Sequence, residues 1–247
     1  MLGIGGGVIF IPSLYILLPY AGIDQSLIPY YAISISLFSG AIAATFSSIL
    51  HFPLGNVDKR RALLFSVGSA SAAFFSVIFI TSVSPIILKG IFAGALFIIA
   101  VVMIRDSHLK KDLKRNEPMN DYSLPIAGSF VGILSAFTGL GGGIFFFPVL
   151  HYLFLLKPRI AIGTSSVITA ITMIFASFSF YIHRSDWMGQ YQSSNTYFAV
   201  AIPLGLGAVI GARIGVSFVI NMKSLMAKKI FSILLIIVVI KIIFGLW

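Results

Sequence analysis

The sequence predicts an all-α integral membrane protein of two homologous repeats, each with a glycine-broken helix or re-entrant hairpin plus three transmembrane helices. Three observations carry that reading. First, 58% of the 247 residues are hydrophobic and only 10% are charged. An ordinary soluble domain holds roughly 25% charged residues, and a soluble core of this length could not hide so much apolar side chain. Second, charges punctuate the chain at intervals long enough for a bilayer crossing, which needs about 20 residues. Third, one glycine-rich motif occurs twice. The composition is not that of a disordered chain, and the absence of cysteine excludes a disulfide framework and thiolate metal sites.

Taken in order, the chain opens on Gly3 to Gly7, a cluster of helix breakers inside apolar sequence. Ser26 to Val57 is then uncharged over 32 residues and Ala62 to Leu88 over 27. Gly90 to Ile104 continues the apolar character past Lys89. Arg105 to Asp121 is the hydrophilic segment and holds 9 of the 24 charges. Beyond it, Tyr122 to Leu156 is uncharged for 35 residues, interrupted by Gly139 to Gly143, and Ile160 to His183 for 24. Trp187 to Ala212 starts polar and turns apolar from Tyr197; Ile230 to Trp247 is the last run. The chain therefore divides into a first transmembrane repeat, 1–104, a basic linker, 105–121, and a second transmembrane repeat, 122–247.

The duplication is explicit. Gly3-Ile4-Gly5-Gly6-Gly7 with Pro12 and Leu14 returns as Gly139-Leu140-Gly141-Gly142-Gly143 with Pro148 and Leu150, all at offset 136. Ala32-Ile33-Ser34-Ile35-Ser36 is matched by Ala161-Ile162-Gly163-Thr164-Ser165. Only the second half has an apolar stretch, Leu124 to Thr138, ahead of its glycines. The expectation is that the leading helix of the first half is missing and that the sequence starts inside a longer reading frame. No cleavable signal peptide is expected, because the start lacks a basic region.

Loop charges give an orientation. If the pieces flanking each glycine cluster formed one broken spanning helix, 9 basic residues would fall on the side of the central loop and 6 opposite. If they fold back as a hairpin, 13 share one face, with only Lys89 and Arg184 outside and Arg213 and Lys241 within spans. The positive-inside rule prefers the hairpin, with the central loop cytoplasmic in a cell (inner) membrane protein. Three crossings per half also invert one repeat relative to the other, an arrangement many secondary transporters use. The net charge of +10 is thereby explained without nucleic acid.

Candidate chemistry lies first in Gly5, Gly6, Gly7 and in Gly141, Gly142, Gly143. Unwound backbone at membrane depth is tolerated only where it is buried or lines a wet cavity, and amides without side chains can converge on an anion. Close helix packing is the plainer role for glycine. No Gly-Lys-Ser/Thr follows either cluster, so neither is a nucleotide phosphate loop. Ser34 and Ser36, with Thr164, Ser165 and Ser166, offer neutral donors to an oxyanion, or simply bond helix to helix. Arg213, near the end of an apolar span, is a functional candidate by virtue of the cost of burying its charge; an interfacial anchor is the alternative. His51 and His183 end equivalent spans and read as interfacial, and Asp58 and Asp186 as loop caps. No Asp or Glu lies deep in a span, so no metal site and no cofactor is expected.

The duplicated G-x-GGG-x4-P-x-L, Ala161-x-Gly163-Thr164-Ser165 and Leu206 to Arg213 together resemble the sulfite exporter TauE/SafE family over nearly the whole chain. The resemblance implies a multipass anion carrier. Its matching positions are Gly5 to Gly7 with Pro12, Gly141 to Gly143 with Pro148, Thr164 and Ser165, and Gly211 with Arg213. Ser34-Ile35-Ser36 departs from the Gly-Thr-Ser of the pattern. The expected function is a secondary transporter of a small oxyanion (sulfite, sulfonate or related organic anion), in the export direction. A passive anion channel is the alternative, and an intramembrane hydrolase using Ser165 and His183 a remote one. Expected partners are the small anionic substrate and the lipid bilayer, with a homo-oligomer left open and no nucleic acid.

Overall fold

A computed structural model describes residues 7–108, 119–183 and 194–220; at 8, 98–108, 194–196 and 212–220 it describes the backbone alone. All regular elements among the described residues are helical. They are α1 (Gly7–Tyr20), α2 (Ile28–His51), α3 (Lys59–Ile80), α4 (Pro85–His108), α5 (Leu124–Thr138), α6 (Gly143–Pro148), α7 (Pro158–Ile182) and α8 (Ser194–Ile220). Helices α2, α3 and α7 are each long and apolar enough to cross a bilayer.

Local chemistry sets the helix starts. Prolines occupy the first turn of α2, α5 and α7, where the missing amide hydrogen costs nothing. Asp58 caps α3 by accepting the Arg61 amide at 3.0 Å. The apolar residues then divide between two surfaces. Phe65, Phe146, Ile35 and Phe180 are buried, while Phe75, Phe79, Ile86, Ile126, Phe130 and Phe178 are exposed. An outer surface of that kind suits acyl chains, not water.

Side-chain contacts give the helix directions. The hydroxyls of Ser69 and Thr172 lie 2.7 Å apart, and Ser179 donates to the Phe74 carbonyl at 2.8 Å. Helices α3 and α7 therefore run side by side in the same sense. Gly128 packs on Phe65 and Gly132 on Ser69, which makes α5 parallel to both. Helix α2 runs the other way: Gly40 lies against Met173, and Asn56, just beyond its end, lies against Gly163 near the start of α7.

The segment between α5 and α7 returns to the side it came from. Arg61 donates from Nε to Asp121 at 3.0 Å, just before α5, and from Nη1 to the Phe154 carbonyl at 3.4 Å, just before α7. The Met119 amide donates to the Leu153 carbonyl at 3.1 Å. Gly139, Gly141 and Gly142, with φ of 63°, 74° and 69°, reverse the chain between the two limbs. The returning limb is not one regular α-helix. The α-helix stops at Pro148, and a π-helical turn covers Val149–Leu153. Proline has no amide hydrogen to continue the α ladder, and a π turn absorbs the mismatch.

Candidate functional site

The glycine turn of the second half is the natural centre of the site, because it places irregular backbone beside the middle of spanning helices. Gly139 ends α5 in the left-handed region, with its amide donating to the Ala136 carbonyl at 3.4 Å. Gly142 then caps α6, accepting the Phe146 amide at 2.7 Å. Both are conformations that side chains resist. Space is equally tight: a Cβ on Gly141 would strike the Met173 thioether, and one on Gly142 the Phe146 ring. Residues 139–144 are all buried.

The first half reaches this turn at two points. A Cβ on Gly7 would lie 2.7 Å from Leu140 Cα and 2.8 Å from the Gly139 oxygen, so the two duplicated clusters meet backbone to backbone. Ser36, buried in α2, donates to the Gly139 carbonyl at 2.8 Å. Pro12 is buried in α1, and the side chain of its neighbour Ile11 lies beside Gly139. Ser34 is one step removed. Its hydroxyl donates to the Tyr31 carbonyl at 3.1 Å, and its own carbonyl accepts from Tyr197 at 3.1 Å. Pro148 lies at the far end of α6. Gly5 and Gly6 lie outside the described residues.

Thr164 and Ser165 are not brought to the turn. Thr164 accepts the Asp58 amide at 3.0 Å, and Ser165 donates to the Ile162 carbonyl at 2.9 Å. Nine residues of helix separate Thr164 from Met173, about 14 Å by helical rise. Ser165, the second-half counterpart of Ser36, thus bonds within its own helix while Thr164 holds a loop, because α2 and α7 run in opposite senses past the turn. Ser165 and His183 lie at opposite ends of the continuous α7, about 27 Å apart by the same rise, and cannot meet as a nucleophile and base. Arg213 falls in α8, its side chain outside the described residues, as is Asp186. No described atom lies within 4 Å of a Cβ on Gly207 or Gly211. Among the described residues no group of three His, Cys, Asp or Glu could hold a metal.

The structure adds residues that the motifs did not mark. Ser66, Ser69, Thr169 and Thr172 lie along the α3–α7 seam, with Ser135 on α5, all at most 3% exposed. Ser66, Ser135 and Thr169 have hydroxyls without a hydrogen-bond partner. The available signal was the three-residue spacing of hydroxyls at 66/69 and 169/172, one helical face in each uncharged run. A cavity of about 530 Å³ lies elsewhere, between α2, α7 and α8, lined by Phe38, Thr45, Ser177, Tyr181, Tyr197 and neighbouring apolar residues. None of the sequence-predicted site residues lines it.

Comparison with known proteins points to one family. The family described as "Sulfite exporter TauE/SafE" matches residues 1–242. A "Probable membrane transporter protein" of Haemophilus influenzae is 27% identical over 244 residues, covering 97% of this chain and 90% of that protein. "Probable membrane transporter protein YunE" of Bacillus subtilis is 27% identical over 255 residues, covering 96% and 89%. A "Probable membrane transporter protein" of Methanocaldococcus jannaschii is 26% identical over 221 residues, covering 87% and 80%. No solved structure matches significantly.

Proposed function

The chain belongs to the sulfite exporter TauE/SafE family, and from that premise we propose that it is a secondary membrane transporter of a small oxyanion, such as sulfite or a sulfonate, working in the export direction. One observation carries the reading: Gly7 of the first half meets Gly139 and Leu140 of the second, with Ser36 bonded to the same turn. Transporters place their sites where broken helices of two repeats converge. Gly7, Ser36 and Gly141 to Gly143 form the centre of the site, and Gly5 and Gly6 are assigned to it by their motif alone. Pro12, Ser34 and Pro148 shape the segments around it, and Thr164 and Ser165 line the route on the Asp58 side. Arg213, matched by the family pattern, is assigned to attract the anionic substrate.

The two repeats are inverted in this reading, supported by the opposite directions of α2 and α7, which carry the matching Ala32–Ser36 and Ala161–Ser165. The linker and the Arg61 end face the cytoplasm of the inner membrane, in keeping with the basic residues gathered there. A proton gradient or the membrane potential supplies the driving force. Uptake of sulfite, sulfoacetate, thiosulfate and sulfate into proteoliposomes tests the function: saturable flux of one or more supports it, and flux of none refutes it. Single-channel currents far above carrier turnover would favour a passive pore instead.

A further inference from the structure

We propose that Ser66 and Thr169 are substrate-binding hydroxyls beside the glycine turn, and that they make the site selective for singly charged oxyanions over doubly charged ones. The inference rests on the oxyanion reading above and adds both the residues and the charge state of what they hold.

The Ser69–Thr172 contact of 2.7 Å sets the register of the parallel α3–α7 pair. Ser66 and Thr169 each precede that contact by three residues, so they share its helical faces and stand opposite one another in the next layer. Gly132 packs on Ser69, so Ser135, three residues further along the parallel α5, lies beyond the Ser69–Thr172 contact and is not part of this pair. The pair lies beside the turn. Phe65, next to Ser66, meets the Phe146 ring edge-on at 5.4 Å, and Met173, next to Thr172, faces Gly141.

These hydroxyls differ from their neighbours in being unpaired. Ser66 is 2% exposed and Thr169 3%, and neither has a hydrogen-bond partner. Serines at comparable positions in the same bundle, Ser165 and Ser166, bond to the carbonyl three residues back. A buried hydroxyl left unpaired is destabilising. Two that face each other across one layer are best explained by a guest that accepts their hydrogens.

No described cation is placed to share such a guest. Arg61 is held by Asp121 and the Phe154 carbonyl, and Lys89 lies 5.6 Å over the Tyr15 ring. Lys59, Arg60, Lys157 and Arg159 are exposed. The cost of moving an ion from water into a low-dielectric interior grows as the square of its charge. Neutral donors can offset that cost for a monoanion far more readily than for a dianion. A hydroxyl also accepts, so it suits an oxyanion that keeps one proton, such as hydrogensulfite, as well as an alkanesulfonate.

The test is uptake of methanesulfonate, sulfite and sulfate into proteoliposomes holding the full chain. Methanesulfonate is a monoanion throughout the working range, sulfate a dianion, and sulfite changes from one to the other near neutrality. Methanesulfonate should move at least about tenfold faster than sulfate, and sulfite flux should fall as pH rises through neutrality. Ser66→Ala and Thr169→Val should each lower methanesulfonate flux about tenfold, as loss of a hydrogen bond to a charged group does. Thr169→Ser, which keeps the hydroxyl, should retain flux and shows that loss in the valine variant is not misfolding. Equal movement of sulfate and methanesulfonate, or unchanged flux in Ser66→Ala and Thr169→Val, overturns the proposal while leaving the transporter reading intact. A wild-type protein that moves none of the three overturns both.

Discussion

The hydroxyl of Ser36 donates a 2.8 Å hydrogen bond to the carbonyl of Gly139, 103 positions later in the chain. A span of the first half thereby holds the turn of the second. Ser36 is 0% exposed, so Ser36→Ala leaves the Gly139 oxygen without this donor. Interhelical hydrogen bonds in membranes are worth about 0.6 kcal/mol on average and up to about 1.7. Ser36→Ala should lower the melting temperature in detergent by a few degrees and reduce flux more than it reduces stability. Ser36→Thr, which keeps the donor, should preserve more flux; equal loss in both would show that the hydrogen bond is not what matters there.

Gly142 combines a φ of 69° with the Phe146 ring directly before its Cα. A side chain there incurs roughly 1–2 kcal/mol of backbone strain as well as a clash. Gly142→Leu should insert into the membrane in normal amounts and lose transport. Wild-type flux in correctly inserted protein would rule out a close backbone approach of substrate at this residue.

Arg61 joins both limbs of the hairpin, bonding Asp121 before it and Phe154 after it. Lysine cannot reproduce the two-directional fork of a guanidinium. Arg61→Lys and Arg61→Ala should therefore both expose the 119–124 and 153–157 segments to proteolysis, with Arg61→Ala the more severe. A double-mutant cycle with Asp121→Asn should give a coupling of about 0.5–3 kcal/mol; no coupling would mean the pair is incidental.

Gly132 and Gly90 make a matched contrast. A Cβ on Gly132 would run into the Ser69 backbone, whereas one on Gly90 meets nothing within 4 Å. Gly132→Ala should separate α3 from α5 at a cost of about 1–3 kcal/mol. Gly90→Ala should leave thermal stability unchanged or raise it, since alanine favours helix by up to about 1 kcal/mol. Similar melting temperatures for the two variants would contradict the packing described.

Much of this architecture was legible in the chain because it depends on local rules. The uncharged runs gave α2, α3, α5 and α7, and Asp58 could be read as a cap from its place before Lys59. The three left-handed glycines at 139, 141 and 142 were marked by their own clustering. Other features were not legible, since they depend on which faces meet. Ser165 matched Ser36 by repeat logic, yet it bonds the Ile162 carbonyl of its own helix, because α7 passes the turn in the opposite sense to α2. The π turn after Pro148 was hidden for a different reason: proline says where an α ladder fails, but not what replaces it.

By itself the order of residues determined that this chain is helical and strongly apolar, and that one glycine-rich motif occurs in it twice. Those properties follow from composition, spacing and steric permission at each residue. Only the folded arrangement decided that Gly7 lies against Leu140, that Ser36 rather than Ser165 serves the turn, and that Ser69 meets Thr172. Contacts between distant segments depend on helix direction and register, and those are set by packing over the whole bundle.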